Sequence, residues 1–145
     1  MVIRLRLRVR GVRGREVEVV AVVNSGYEAL RPELLINTSI AHELGLYPVL
    51  PSGAEVREYA LADGSRTKLI RIPNALEVKV CVEDRETKYV GCDAVIAERA
   101  EEPLISDKLA DALEIVAIAI GEGIWCFRDE LGKKNRRSAS PLEGW

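Results

Sequence analysis

Hydrophobic and cationic residues alternate from the start of the chain, with Ile3, Leu5, Leu7 and Val9 interleaved with Arg4, Arg6, Arg8 and Arg10. A period of two sends successive side chains to opposite faces of a strand, so residues 2–10 read as a half-buried strand with an arginine row on its outer face. Gly11-Val12-Arg13-Gly14 is a turn, and residues 15–23 return as a second strand. That strand begins by alternating and ends as Val19-Val20-Ala21-Val22-Val23. A continuous apolar run of strand length is buried on both faces, so it leads into the middle of the molecule.

Asn24-Ser25-Gly26 interrupts the run abruptly. A polar turn directly after a doubly buried strand lies inside the structure, where each polar group needs a partner. After a Pro-containing connection, residues 38–44 read as a short helix with Asn37 or Thr38 as N-cap and Gly45 closing it. Residues 55–60 and 67–72 are strands joined by a tight turn, Ala62-Asp63-Gly64-Ser65, since Asp-Gly between β-prone stretches marks a hairpin. A second hairpin pairs residues 76–82 with 88–97. Residues 106–113 form a second short helix capped by Ser106, with Asp107 as a first-turn acid that the helix dipole favours. Residues 115–120 and 124–128 are closing strands.

Residues 1–130 therefore read as one domain, and residues 131–145, polar with Lys133-Lys134 and Arg136-Arg137, as a mobile tail. Seven or eight short strands and two short helices, without an internal repeat, predict a mostly-β closed barrel.

Composition narrows the chemistry. The 145 residues carry 21 Lys plus Arg against 23 Asp plus Glu, a net charge of −2, so nothing global draws the chain to nucleic acid. The arginine row and Arg136-Arg137 are local cationic stretches. No aromatic residues interleave with the row as a stacking platform needs, and alternating cations on a terminal strand read better as solvent-face charges that discourage edge pairing. Three cysteines without CxxC spacing and a single histidine, His42, leave a zinc site or a histidine-based triad short of members; no metal or cofactor is implied. Cys81 and Cys92 fall on neighbouring expected strands and can form a cross-strand disulfide. No apolar run reaches 18 residues and no signal peptide is evident, which places the protein in the cytoplasm and off the membrane. The absence of Gln and the single Met lean toward a thermophilic source. Trp125 and Phe127, two residues apart, suit either a dimer sheet or a cap on the monomer's own core.

The order of several pieces resembles the retropepsin-like aspartic proteases. The matching segments are Val19-Val20-Ala21-Val22-Val23-Asn24-Ser25-Gly26, Ala41-His42-Glu43-Leu44-Gly45-Leu46 and Leu61-Ala62-Asp63-Gly64, with weaker matches at Pro103-Leu104-Ile105-Ser106 and residues 109–115. No single piece is specific; their order across residues 2–127 carries the likeness. Two departures stand out: Asn24 replaces the family's Asp, and Ser106 replaces a Gly.

The resemblance implies a retropepsin-like closed barrel, a two-fold homodimer contributing one carboxylate from each copy, and an extended peptide or unfolded protein as substrate. Two carboxylates that close hold one shared proton, so that one acts as base toward water and the other as acid toward the amide. It also implies that Asn24, Ser25 and Gly26 form the catalytic turn, that Ser25 hydrogen-bonds across the axis, and that Ala62, Asp63 and Gly64 tip a flap over the peptide. Asn24 has the shape of the acid without its basicity. A homodimer with Asn at both positions has no group at that site to activate water, so an aspartic endopeptidase is expected to be inactive as this chain is written. The substitution is either engineered or native; the same fold serving only to bind peptides is the alternative, and a nucleic-acid-binding β-barrel is the more distant one.

Overall fold

The computed structural model describes residues 2–24, 26–60 and 63–140. β1 (Arg4–Gly11) and β2 (Glu16–Val23) form an antiparallel hairpin with Leu5 opposite Ala21 and Leu7 opposite Val19. β3 (Glu33–Ile36), α1 (Thr38–Glu43), β4 (Glu55–Ala60), β5 (Arg66–Val80), β6 (Val90–Ile96), β7 (Leu104–Ile105) and α2 (Asp107–Ala112) follow. β8 (Ile115–Ala119), β9 (Ile124–Phe127) and β10 (Arg136–Arg137) form a separate three-stranded sheet.

Strands β1, β2, β7, β3, β6 and β5 neighbour one another in that order, and β1 pairs again with β5, which closes a six-strand barrel. β4 lies beyond it and, among the described residues, pairs only with β5. The periodicity of β1 translates directly into burial: Ile3, Leu5, Leu7 and Val9 are at most 2% exposed while the arginines face out. Val19, Val20, Ala21 and Val22 are all buried, as a continuous apolar run requires of a strand covered on both faces.

Both helices start where a side chain can satisfy an orphan amide. Asn37 Oδ1 accepts from Ile40 N at 2.9 Å, and Ser106 Oγ accepts from Leu109 N at 3.2 Å. Gly45, at φ 75°, takes the left-handed conformation that ends the first helix.

Several expectations change. β5 is one strand rather than two: at Pro73-Asn74 it bends and shifts register between Ile72 and Leu76. Proline gives up a ladder amide, Asn74 accepts φ 54°, and the Asn74 amide goes instead to Asp93 Oδ1 at 2.7 Å, so the strand kinks without ending. β3 falls within the stretch read as a Pro-containing connection. β1 has neighbours on both sides, so its arginines protect no edge.

The tail expected to fray from Leu131 instead folds back as far as Ser140. Arg136–Arg137 pair with Ile124 and Trp125, Arg136 bonds Glu130 and Asp84, and Ala139 N donates to Arg4 O. Arg136 and Lys134 of the tail are met by specific carboxylates, Glu130 and Asp84. Trp125 and Phe127, each 3% exposed and in edge-to-face contact at 5.1 Å, belong to the monomer's core. The three cysteines are free thiols; Cys92 lies opposite Leu76, and Cys81 follows the end of β5, too far along the ladder to reach it. No helix among the described residues is long and apolar enough to cross a membrane.

Candidate functional site

Strand β2 delivers Asn24 to the mouth of the barrel. The Asn24 amide donates to Ile105 O on β7 at 3.2 Å, which holds the turn against the neighbouring strand. Asn24 Oδ1 accepts from Gly26 N at 3.0 Å, and Tyr27 N donates to Asn24 O at 3.0 Å, so the carboxamide braces its own turn. A Cβ at Gly26 would stand 3.4 Å from Asn24 Oδ1, at the tight edge of ordinary contact.

The next residues are tied to α2. The Asp107 amide donates to Tyr27 O at 2.9 Å, and Asp107 Oδ1 accepts from Ala29 N at 3.2 Å. Asp107 thus fastens the loop after the turn in addition to sitting at a helix start.

This turn borders a cleft of about 560 Å³. Asn24, Gly26 and Tyr27 line it from the turn, Tyr59 and Leu69 line it from β4 and β5, and Leu35 and Leu104 add apolar surface from β3 and β7. The structure therefore brings the polar turn and the β4–β5 pair into one pocket, although more than 30 residues separate Asn24 from Tyr59. Ser25 and Ala62 lie outside the described residues. Asp63 and Gly64 are exposed at the tip of the hairpin and do not line the cleft. Asp63 Oδ1 accepts from Ser65 N at 2.9 Å and from the Ser65 hydroxyl, bonds that hold its carboxyl below the usual range. With Gly64 at φ 86° they make the pair a turn-former.

Beneath the cleft lies a buried polar cluster that the sequence reading missed. Glu33 Oε1 accepts from the Tyr27 hydroxyl at 2.8 Å and from the Tyr59 hydroxyl at 3.5 Å, while Glu33 Oε2 accepts from Arg71 Nε at 3.2 Å. Arg71 also bonds Glu55 Oε1 at 2.7 Å and contacts Asp93 Oδ2 through Nη2; Asp93 in turn takes Arg31 Nε at 3.1 Å. Glu33, Arg71, Asp93 and Ser106 are the buried polar residues among those described, and no buried side-chain N or O among them lacks a partner. Burial, with the Glu33 carboxylate adding to it, raises the Tyr27 phenol far above its ordinary value and pushes Tyr59 up to about 12. Both phenols therefore stay protonated and donating. The one signal in the sequence is a charge set inside an apolar stretch, as in Ile70-Arg71-Ile72 and Cys92-Asp93-Ala94.

Away from the cleft, the cationic row of the first strand is paired. Each arginine of the β1 row has a carboxylate within reach: Arg4 with Glu102, Arg6 with Glu18, Arg8 with Glu16 and Glu18, Arg10 with Glu77. His42 is exposed on α1. The described residues contain no group of three or more His, Cys, Asp or Glu able to hold a metal ion. Of the residues lining the cleft only Glu28, exposed at its rim, carries a charge. The chain matches no model of a known protein family, and no curated protein matches it in sequence.

Proposed function

We propose that this chain is one half of a retropepsin-like homodimer whose clefts hold an extended peptide or a segment of unfolded protein, with Asn24 at the position of the catalytic acid. The observation that carries the reading is the shared cleft: Asn24 at the end of a doubly buried strand and Tyr59 and Leu69 of the β4–β5 pair border one space of about 560 Å³. A groove with apolar walls beside a strand suits a chain bound through main-chain hydrogen bonds, with side chains filling alternate pockets.

The chemistry follows from residue 24. In a two-fold dimer the two copies of this residue face each other. Two carboxylates there share a proton, and the ionised one draws a proton from water while the protonated one donates to the leaving amide. A carboxamide does neither at any pH near neutral, so the chain as written binds without hydrolysing. Asn24→Asp restores the base without disturbing the turn, because an Asp oxygen accepts the Gly26 amide as Asn24 Oδ1 does.

Digestion of fluorescein-labelled casein from pH 3 to pH 7 tests this. The Asn24→Asp protein is expected to cleave at acidic pH at least about 100-fold faster than the unmodified chain, and to be blocked by a statine-type inhibitor. Inactivity of both, with the variant folded and dimeric, overturns the peptidase reading. A purely peptide-binding module of the same fold is the second reading. It is favoured by the engagement of Asn24 Oδ1 within its own turn, and it predicts casein binding that Asn24→Asp leaves without turnover. The nucleic-acid alternative loses its main support, because the arginine row is paired along its length.

A further inference from the structure

We propose that Glu33 is a positioning residue that sets β4 and β5 over the cleft, by holding the phenols of Tyr27 and Tyr59 on one carboxylate oxygen. For its consequence in binding, this inference rests on the reading of the cleft as a peptide site.

Glu33 is held still by its neighbours. Its amide donates to Ser106 Oγ at 3.0 Å, its carbonyl accepts from Ser106 N at 3.2 Å, and Oε2 takes Arg71 Nε. Main chain and carboxylate are thus pinned from three directions, with the side chain 6% exposed. Oε1 is a fixed point of the barrel wall, and the two residues bonded to it belong to opposite sides of the cleft. Tyr27 comes three residues after Asn24, and Tyr59 comes one residue before the end of β4.

β4 needs such a fixed point. It pairs with β5 alone, its other edge carries no strand among the described residues, and Val56 is 67% exposed. The Glu33–Arg71 pair fastens it at both ends: Arg71 Nη1 reaches Glu55 at its first residue, and Glu33 Oε1 reaches Tyr59 near its last. The two arms on Oε1 are unequal. Tyr27 is bonded at 2.8 Å and Tyr59 at 3.5 Å, so the hairpin side is the one that yields when β4 moves, while the turn stays in place. The phenols are neutral and add no counter-charge to Glu33, whose ion pair is with Arg71. What they add is a geometric link between the turn and β4 through one atom, with both rings bordering the cleft.

Tyr59→Phe removes the hydroxyl and keeps the ring. In the full chain, hydrogen exchange of the β4 amides is expected to quicken about threefold while the β2 amides keep their rates, since a bond as long as 3.5 Å carries the low end of a hydrogen bond's free energy. Casein binding should weaken by a similar factor, and in the Asn24→Asp background KM should rise about threefold with kcat unchanged. Tyr27→Phe should leave β4 exchange unchanged, because it severs only the turn arm. Unchanged β4 exchange in Tyr59→Phe overturns the inference, and so does quickening that spreads equally through β1 and β2, the mark of a residue that only stabilises. If β4 alone loosens but casein neither binds nor is cleaved by any variant, the positioning role holds and the peptide reading of the cleft falls.

Discussion

Two groups of arginine–carboxylate pairs sit on this barrel with the same chemistry and opposite surroundings. On the outer face of β1, Arg4, Arg6, Arg8 and Arg10 meet Glu102, Glu18, Glu16 and Glu77 at 2.8–3.6 Å, with side chains 24–53% exposed. Under the cleft, Arg71 meets Glu33 and Asp93 with side chains 9%, 6% and 0% exposed. Water and salt screen the first group, so each pair is worth little and can break without consequence. The second group has no water to fall back on: a charge that loses its partner there stays buried and uncompensated. The outer row therefore keeps the surface wetted and neutral, whereas the inner cluster acts as a rigid frame. The difference lies in burial, and distance alone conceals it.

The largest effect is expected at the frame. Arg71→Leu leaves buried Glu33 without a cation and Asp93 with the half-exposed Arg31 alone, and urea denaturation should register a loss of about 3–5 kcal/mol. A loss below about 1 kcal/mol would move the cluster into the class of the surface row and remove the contrast.

An intermediate case is the C-terminal cluster, where Arg136 and Glu130 pair at 2.7 Å with side chains 9% and 13% exposed. Hydrogen bonding to Arg136 is the chief cause that lowers the Glu130 carboxyl from 4.5 to about 2. A carboxyl depressed on folding stabilises the protein above its unfolded value, and that contribution is lost as pH falls through the folded one. Between about pH 4.5 and 2 the Tm of the full chain should therefore drop, and Glu130→Gln should lower Tm at neutral pH and flatten that slope. An unchanged slope in the variant would assign the acid sensitivity to other carboxyls.

The smallest effect belongs to the row. Arg6→Ala should cost less than about 1 kcal/mol, and 1 M salt should shrink even that. A cost comparable to that of Arg71→Leu would show that exposure does not rank these pairs.

Much of the barrel was legible because its signals are local. The alternation of residues 2–10, the apolar run before Asn24, the caps at Asn37 and Ser106 and the bounds of β4 all follow from neighbours within a few positions. The position of the turn after Val23 was legible for the same reason, but its expected place inside the structure was not met: Asn24 is half-buried and Gly26 exposed, because the strand ends at an open cleft. β3 was not legible: its four residues, Glu-Leu-Leu-Ile, are too short to display a period, and their partners lie some 60–70 residues away in β6 and β7. The tail after Leu131 looked free because Arg136 and Lys134 find Asp84, about 50 residues earlier, only once the sheet is assembled. The cleft was half legible. Asn24 and the hairpin were evident, but Tyr27, Tyr59 and Glu33 were unremarkable until the fold placed two phenols on one carboxylate.

The amino-acid order by itself determined which apolar residues of β1 and β2 face inward, where helices begin and end, and that residue 24 is an amide rather than an acid. These are properties of single residues and of contacts spanning a turn or a pleat. Only the tertiary structure decided that β1 returns to β5 to close the barrel, that β5 runs through Pro73, and that Glu33, Arg71 and Asp93 meet out of water. Such contacts join residues tens of positions apart. They form because closing the barrel buries both the apolar faces and the charges that must then neutralise one another, and no local pattern along the chain records which distant partner each will find.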